Sequence, residues 1–166
     1  GSVGNYSFSV ARRDYQALAE LGFVVVSVDA MGTPGRSKSF HDAYYGNMGD
    51  NGLPDNITAI EQLSKTYKAM DISKVGIWGH SGGGSMTLNM MFRYPEQYHV
   101  GISLAPVPDQ RLYDSIYQER YSGLLEDYAE GYKQGSPITH AKNLQGNLLL
   151  IHGTGDDNVH YQGAER

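Results

Sequence analysis

Short apolar runs alternate with amphipathic stretches along the chain. The apolar runs predict four strands, at residues 23–28, 75–78, 100–105 and 148–151. Apolar residues at helical spacing predict a helix before the first strand, at about 9–21, and helices between later strands, at about 54–68 and 85–94. Strands separated by helices are joined by right-handed crossovers and form a parallel sheet. The pattern therefore predicts an α/β fold with a mostly parallel sheet flanked by helices.

The first apolar run and the loops add detail to this prediction. Residues 23–28 are rich in valine, so we expect a strand buried on both faces. A long loop rich in glycine and proline follows at 29–53, and a tyrosine-rich, partly helical segment occupies 106–144. Four residues lie just past predicted strand ends, where reactive groups gather in parallel sheets: Asp29, Ser81, Pro106 and Asp156.

The segment 79–83 has the sequence Gly-His-Ser-Gly-Gly, which matches the G-x-S-x-G nucleophile elbow. In this motif a serine lies on a sharp turn from strand to helix. We expect Gly79 and Gly83 to let the strand and the helix pass close together, and the Gly82 N–H to face a developing oxyanion. The alternative is a glycine-rich turn with an incidental serine. The strand predicted before Ser81 and the helix predicted after it favour the nucleophile.

A serine nucleophile needs a histidine base and a carboxylate that orients it, in the chain order serine, acid, histidine. Asp156 follows the fourth predicted strand and is the candidate acid; the alternative is a loop carboxylate that binds local N–H groups. His160 alone follows Asp156 and is poorly placed to bridge it to Ser81. We expect His152 to be packed or hydrogen-bonded, and the side chain of His80 to diverge from the serine. The base is therefore expected outside this chain.

Composition excludes several classes of function. The 166 residues carry a formal net charge of −5 and no cysteine, which argues against nucleic acid as a partner and excludes disulfides and thiolate chemistry. The apolar run at 23–28 is too short to span a bilayer, so no membrane contact is expected from this segment. No pair of histidines has metal-binding helical spacing, and we predict neither a metal nor a cofactor.

Four segments carry a family resemblance. Residues 75–84, residues 105–107 with 113–121, and residues 149–160 resemble the elbow, the pocket segment and the acid loop of the prolyl oligopeptidase family, in its dipeptidyl peptidase IV branch. The resemblance implies an α/β-hydrolase fold truncated at both ends. Residues 1–166 would be a partial catalytic domain, without the family's N-terminal β-propeller and C-terminal segment that bears the histidine.

The resemblance also implies a function. The complete protein would be a serine peptidase that cleaves peptide substrates after proline or alanine through an acyl-enzyme, as a homodimer in the periplasm or outside the cell. Two alternatives stay open: a carboxylesterase or acylaminoacyl-type hydrolase, and a catalytically inactive fragment. Absence of cysteine assigns no compartment by itself.

The resemblance gives individual residues their roles. Ser81 would be the nucleophile, Asp156 the triad acid and the Gly82 N–H an oxyanion donor. Asn158 would bind a substrate carbonyl, with Arg120 nearby. The pocket for the substrate side chain would be lined by Val107, Tyr113, Tyr117 and Val159.

Three features of the sequence qualify these roles, two near the pocket segment and one in the elbow. Tyr113, Tyr117 and Tyr121 recur every four residues, which also fits ordinary core packing on an amphipathic helix. Gln110 stands where the family commonly has an aromatic residue, and Gly82 replaces the bulky residue that often follows the serine.

Overall fold

The structure is a computed structural model that describes residues 13–50 and 52–166. The first residues of the predicted helix at 9–21 lie outside the described residues. The described strands are β1 (Gly76–His80), β2 (Val100–Leu104) and β3 (Asn147–Ile151). The described α-helices are α1 (Arg13–Glu20), α2 (Lys38–His41), α3 (Leu53–Thr66), α4 (Gly82–Arg93), α5 (Ser115–Ser122), α6 (Ala129–Gly135) and α7 (Gln162–Glu165).

The three strands form one parallel sheet in the order β1-β2-β3. Their last residues are in register, with His80 opposite Leu104 and Leu104 opposite Ile151. All three strands therefore end at the same edge of the sheet. This confirms the predicted parallel sheet and three of its four strands.

Helix α4 is the centre of the core. It covers one face of the sheet, and most of its side chains are buried. Strand β2 alternates as a half-covered strand should, with Gly101 and Ser103 buried and Val100, Ile102 and Leu104 exposed. The buried apolar cluster consists of Leu53, Ile57, Leu88, Met90, Met91, Phe92 and Tyr98. Its first two members lie on α3, which begins with Pro54 in its first turn as predicted.

The strand predicted at 23–28 is wrong. The segment forms no strand, and the side chains of Phe23 and Val24 are 61% and 54% exposed. A strand needs a neighbour to accept and donate its backbone hydrogen bonds, and within 13–50 and 52–166 the three strands pair only with one another. A valine-rich run favours the extended backbone but does not supply that neighbour.

The loop at 29–53 is more helical than predicted, and the tyrosine-rich segment at 106–144 is partly helical as predicted. The loop at 29–53 contains α2 and a 3-10 helix at Asp42–Tyr44. The tyrosine-rich segment contains α5, α6 and two 3-10 helices, at Gln110–Leu112 and Pro137–Asn143. Across the described ranges, no helix is both long and apolar enough to cross a bilayer.

Candidate active site

Ser81 lies on a strained bend between β1 and α4. Its φ of 58° and ψ of −120° belong to a region that residues other than glycine rarely occupy. The Ser81 N–H donates to the carbonyl of Leu104 at 2.8 Å, and the Ser81 carbonyl accepts the N–H of Ser85 at 3.0 Å. The last residue of β2 and the first turn of α4 therefore hold the bend from both sides.

Glycine is needed at two positions around this bend. A Cβ at Gly79 would lie 2.2 Å from the carbonyl oxygen of Gly83, and a Cβ at Gly84 would lie 2.7 Å from the carbonyl oxygen of Leu104. A Cβ at Gly83 would meet nothing within 4 Å. The expectation that Gly79 and Gly83 both provide space is thus wrong for Gly83. Gly84, outside the five-residue motif, provides that space where α4 crosses β2.

Gly82 is the first residue of α4. The first four N–H groups of an α-helix have no acceptor within the helix, and they carry the positive end of its dipole. The Gly82 N–H belongs to this set and directly follows Ser81. The position suits a donor to the oxyanion that forms on a carbonyl oxygen when the Ser81 hydroxyl attacks the carbonyl carbon.

Asp156 lies in the loop after β3 and organises that loop. Its Oδ1 accepts the N–H of Val159 at 2.9 Å and the N–H of Asn158 at 3.1 Å. These two donors, helped by the nearby His152 and His80, hold the pKa of the Asp156 carboxyl below its usual value. Asp156 therefore binds local N–H groups, as the alternative prediction had it. Both backbone bonds fall on Oδ1, so Oδ2 carries neither of them.

The structure brings Ser81 and Asp156 to the same edge of the sheet. Ser81 directly follows the end of β1, and the Asp156 loop follows the end of β3, two strands away. Hydrogen bonds connect the strand ends, because the Ala105 N–H donates to the carbonyl of Ile151 at 2.8 Å. Two strand spacings amount to about 9.5 Å.

The histidines near this edge have other surroundings. His152 is packed, with its side chain 1% exposed, and its Nε2 donates to the carbonyl of Val159 at 2.7 Å. The same Nε2 lies 3.5 Å from Oδ2 of Asp156. His80 and His160 are exposed. Within the residues that the structure describes, no histidine is hydrogen-bonded to the Ser81 hydroxyl.

The tyrosines of the pocket segment form a row that is only half buried. The ring centroids of Tyr113 and Tyr117 are 5.3 Å apart, and those of Tyr117 and Tyr121 are 4.8 Å apart. The residues that α5 buries are instead Gln118 and Ser122. Core packing of the tyrosines, the alternative at the sequence level, is therefore wrong. Burial nevertheless raises the pKa of the Tyr117 hydroxyl.

The remaining predicted pocket residues lie around this row. The Tyr113 hydroxyl donates to Oδ1 of Asn158 at 3.2 Å, which connects the row to the Asp156 loop. The Arg120 guanidinium lies 5.3 Å from the centroid of the Tyr121 ring. Val107 and Val159 are buried, one just past β2 and the other in the Asp156 loop.

Gln110 occupies the position where the family commonly has an aromatic residue, and it is hydrogen-bonded. It is buried, its backbone N–H donates to the Ser136 hydroxyl at 2.8 Å, and its side-chain oxygen accepts the Gln118 amide. The other side-chain oxygen of this pair, Oε1 of Gln118, is buried with no hydrogen-bond partner among the described residues.

Two buried serines near the elbow were not predicted from the sequence. Ser85 and Ser103 both make hydrogen bonds between α4 and the end of β2. Serine has no distinctive sequence pattern at such positions. The one available hint is the position of Ser85, one helical turn after Ser81.

Comparison with known protein families identifies the family of this chain and, with it, the fold. The profile of the prolyl oligopeptidase family matches residues 8–166, nearly the whole chain. The chain belongs to the prolyl oligopeptidase family. The sequence-based family prediction is thereby confirmed, and so is the α/β-hydrolase fold with a parallel sheet flanked by helices.

Individual relatives agree with this membership. Dipeptidyl peptidase 4 of Trichophyton equinum is 41% identical over 147 residues, which cover 87% of this chain and 19% of that protein. A probable dipeptidyl-aminopeptidase B of Arthroderma otae is 40% identical over 164 residues, with 96% and 17% covered. The crystal structure of Porphyromonas gingivalis dipeptidyl peptidase 4 superposes with a TM-score of 0.85 at 38% identity, covering 91% of this chain and 21% of that one. The chain thus spans about a fifth of the length of these relatives.

Proposed function

We propose that this chain supplies the nucleophile and the acid of a serine peptidase. One observation carries the proposal: the strained Ser81 at the start of α4 shares a sheet edge with the ionised Asp156. The relatives are named dipeptidyl peptidases, which supports peptide hydrolysis as the reaction. The substrate is a peptide, and no cofactor takes part.

The chemistry is acyl transfer. The Ser81 hydroxyl attacks the carbonyl carbon of the scissile bond while a histidine removes its proton. Asp156 orients that histidine and stabilises its charged form. The Gly82 N–H donates to the oxyanion of the tetrahedral intermediate, and a donor of this kind contributes about 3–4 kcal/mol to the transition state. The histidine then protonates the leaving amine, and water hydrolyses the acyl-enzyme.

The base lies outside residues 1–166 in this proposal. His152 donates its Nε2 proton to a backbone carbonyl and is enclosed, and His160 is only four residues from Asp156. The 166-residue chain alone would therefore have negligible peptidase activity. The family's β-propeller and histidine-bearing segment belong to this proposal for the complete protein, as does its homodimer.

The pocket favours a small residue before the scissile bond, proline or alanine. A proline ring is flat and apolar, and tyrosine faces give it contact area at low entropic cost. Val107, Tyr113, Tyr117 and Val159 supply such surfaces in this proposal. Asn158 binds a substrate carbonyl through its amide, since its Oδ1 already accepts the Tyr113 hydroxyl. Arg120 stands nearby.

A fluorophosphonate probe tests the nucleophile in the full-length protein. We expect wild-type protein to be labelled covalently and Ser81→Ala to lose labelling completely, because no other hydroxyl lies on the strained bend. Ser64→Ala is the matched control: it removes a hydroxyl that donates to the Glu61 carbonyl within α3, and labelling should persist. Labelling of the Ser81→Ala protein would refute the assignment.

Substrate comparison tests the reaction class. Cleavage of a Gly-Pro amide faster than a short-chain aryl ester is expected of the peptidase. The reverse order would favour the carboxylesterase or acylaminoacyl-type alternative, which shares the elbow and the acid loop.

A further inference from the structure

A single buried hydroxyl joins the two halves of the proposed site. Ser85 lies on α4, one turn after Ser81, and is 7% exposed. Its Oγ donates to the carbonyl of Ser81 at 3.3 Å and accepts the N–H of Val107 at 2.8 Å. The same oxygen therefore binds the backbone of the nucleophile and the backbone of a pocket residue.

The backbone N–H of Val107 is not hydrogen-bonded to a strand of the sheet; it donates to Ser85. The chain leaves β2 at Ala105, whose φ of 45° is disfavoured for a residue with a Cβ. The Ala105 N–H makes the last bond to β3, at the carbonyl of Ile151. Pro106 follows and has no N–H to donate. Val107 is thus the next backbone donor after the strained turn, and Ser85 is its acceptor.

We infer that Ser85 is a positioning residue that sets the separation between Ser81 and the Val107 wall of the pocket. This separation limits the size of the residue that fits before the scissile bond, and so it governs the choice between proline and alanine. The inference rests on the proposed function, because it takes Ser81 as the nucleophile and Val107 as a pocket wall.

Ser103 provides a matched control for burial and location. It is fully buried, and its Oγ donates to the carbonyl of Gly84 at 3.0 Å, also between β2 and α4. Its side chain has no hydrogen bond to Ser81 or Val107 within the described part of the chain. Ser103→Ala therefore measures the general effect of removing a buried hydroxyl at this crossing.

The test measures kcat/KM for a Gly-Pro amide and a Gly-Ala amide in the full-length protein. Ser85→Ala leaves the Val107 N–H buried without its acceptor, so the wall can shift. We expect kcat/KM for the proline substrate to fall about tenfold or more and that for the alanine substrate about threefold or less, in keeping with one lost hydrogen bond. Ser103→Ala should change both values by the same factor.

Conservative substitutions at Ser85 test whether the proline-to-alanine ratio can be restored. Ser85→Thr keeps the hydroxyl, and Thr87 already shows the required geometry in α4, donating to the Gly83 carbonyl at 3.0 Å. The Thr variant should restore the proline-to-alanine ratio to within about twofold of wild type, since its hydroxyl offers the same donor and acceptor. Ser85→Cys, with a weak acceptor of similar size, should lie between Ala and wild type.

The outcomes separate this inference from the proposed function. An equal fall for both substrates in Ser85→Ala, matching Ser103→Ala, overturns the positioning role. If Ser85→Ala does not fold, an unchanged ratio in Ser85→Cys overturns it instead. Absence of fluorophosphonate labelling in the wild-type protein would refute the proposed function itself. A labelled wild type with an unchanged ratio in every Ser85 variant would refute the Ser85 role alone.

Discussion

At the residue scale, the two oxygens of the Asp156 carboxylate have different polar partners. Oδ1 accepts the backbone N–H groups of Asn158 and Val159 and so shapes its own loop. Oδ2, which accepts neither N–H, is the oxygen proposed to orient the base. The observed loop bonds and the proposed role as triad acid are compatible, because a carboxylate has more lone pairs than the loop uses.

The pH dependence of activity follows from this environment. The pKa of Asp156 is lowered, so the group is ionised at and above the usual aspartate range and loses its charge only below it. A histidine base titrates at about 6.5, well above that range. We therefore expect kcat/KM of the full-length protein to fall on the acid side with a single proton uptake by the histidine, measured as a pH–rate profile.

A control variant checks the source of that acid limb. Asp157→Asn removes the neighbouring exposed carboxylate and should leave the profile unchanged. A second proton uptake between about pH 5 and 7 that is assigned to Asp156 would contradict the prediction, because it would require a raised rather than a lowered carboxyl pKa.

At the element scale, the crossing of β1, α4 and β2 determines the bend at Ser81. The sequence predicted these three elements to within a few residues, since each has strong periodicity and a clear break. It did not predict which glycines the crossing needs. Their spacing suggested Gly79 and Gly83, but the direction of a missing Cβ depends on how helix and strand are packed.

Two alanine substitutions test this crossing. Gly79→Ala would push a methyl group to 2.2 Å from the Gly83 carbonyl oxygen, and we expect a loss of about 1–3 kcal/mol or more in the free energy of unfolding. Gly83→Ala meets no atom within 4 Å and lies in a helix, so it should be neutral or stabilising by up to about 1 kcal/mol. Chemical denaturation of both variants measures the difference.

The decisive result is which of the two variants has the lower free energy of unfolding. Equal destabilisation would mean that α4 and β1 lie closer at Gly83 than the structure shows. A fully stable Gly79→Ala protein would mean that the strand and the helix can separate without cost.

At the scale of the whole molecule, one face of the sheet carries exposed apolar side chains. Trp78, Ile102 and Leu149 lie side by side on neighbouring strands and are 43%, 42% and 54% exposed. The opposite face of β2 is buried under α4. Large apolar patches of this kind promote association in water.

Trp78 reports on this face because it is the single tryptophan of the chain. In the 166-residue chain by itself we expect long-wavelength Trp78 emission that acrylamide quenches readily, together with binding of a hydrophobic dye. Ile102→Ser should reduce dye binding by shortening the apolar patch. Emission at short wavelength that resists quenching would contradict the exposed position of Trp78.

The sequence by itself determined the class of fold, the bend between strand and helix at Ser81, the loop after β3 that carries Asp156, and the family. Each of these is a local pattern: a period of two or 3.6 residues, a glycine-serine spacing, or a contiguous segment. Local patterns are present in the chain before it folds, so they can be found without coordinates.

Tertiary structure alone decided what depends on neighbours. The run at 23–28 is not a strand because no strand among the described residues pairs with it, and Gly84 needs glycine because the end of β2 passes beside it. The tyrosines of α5 are half buried because the helix turns its glutamine and serine inward. Ser85 gained its connection to Val107 only when β2 met α4, since 22 residues separate them along the chain.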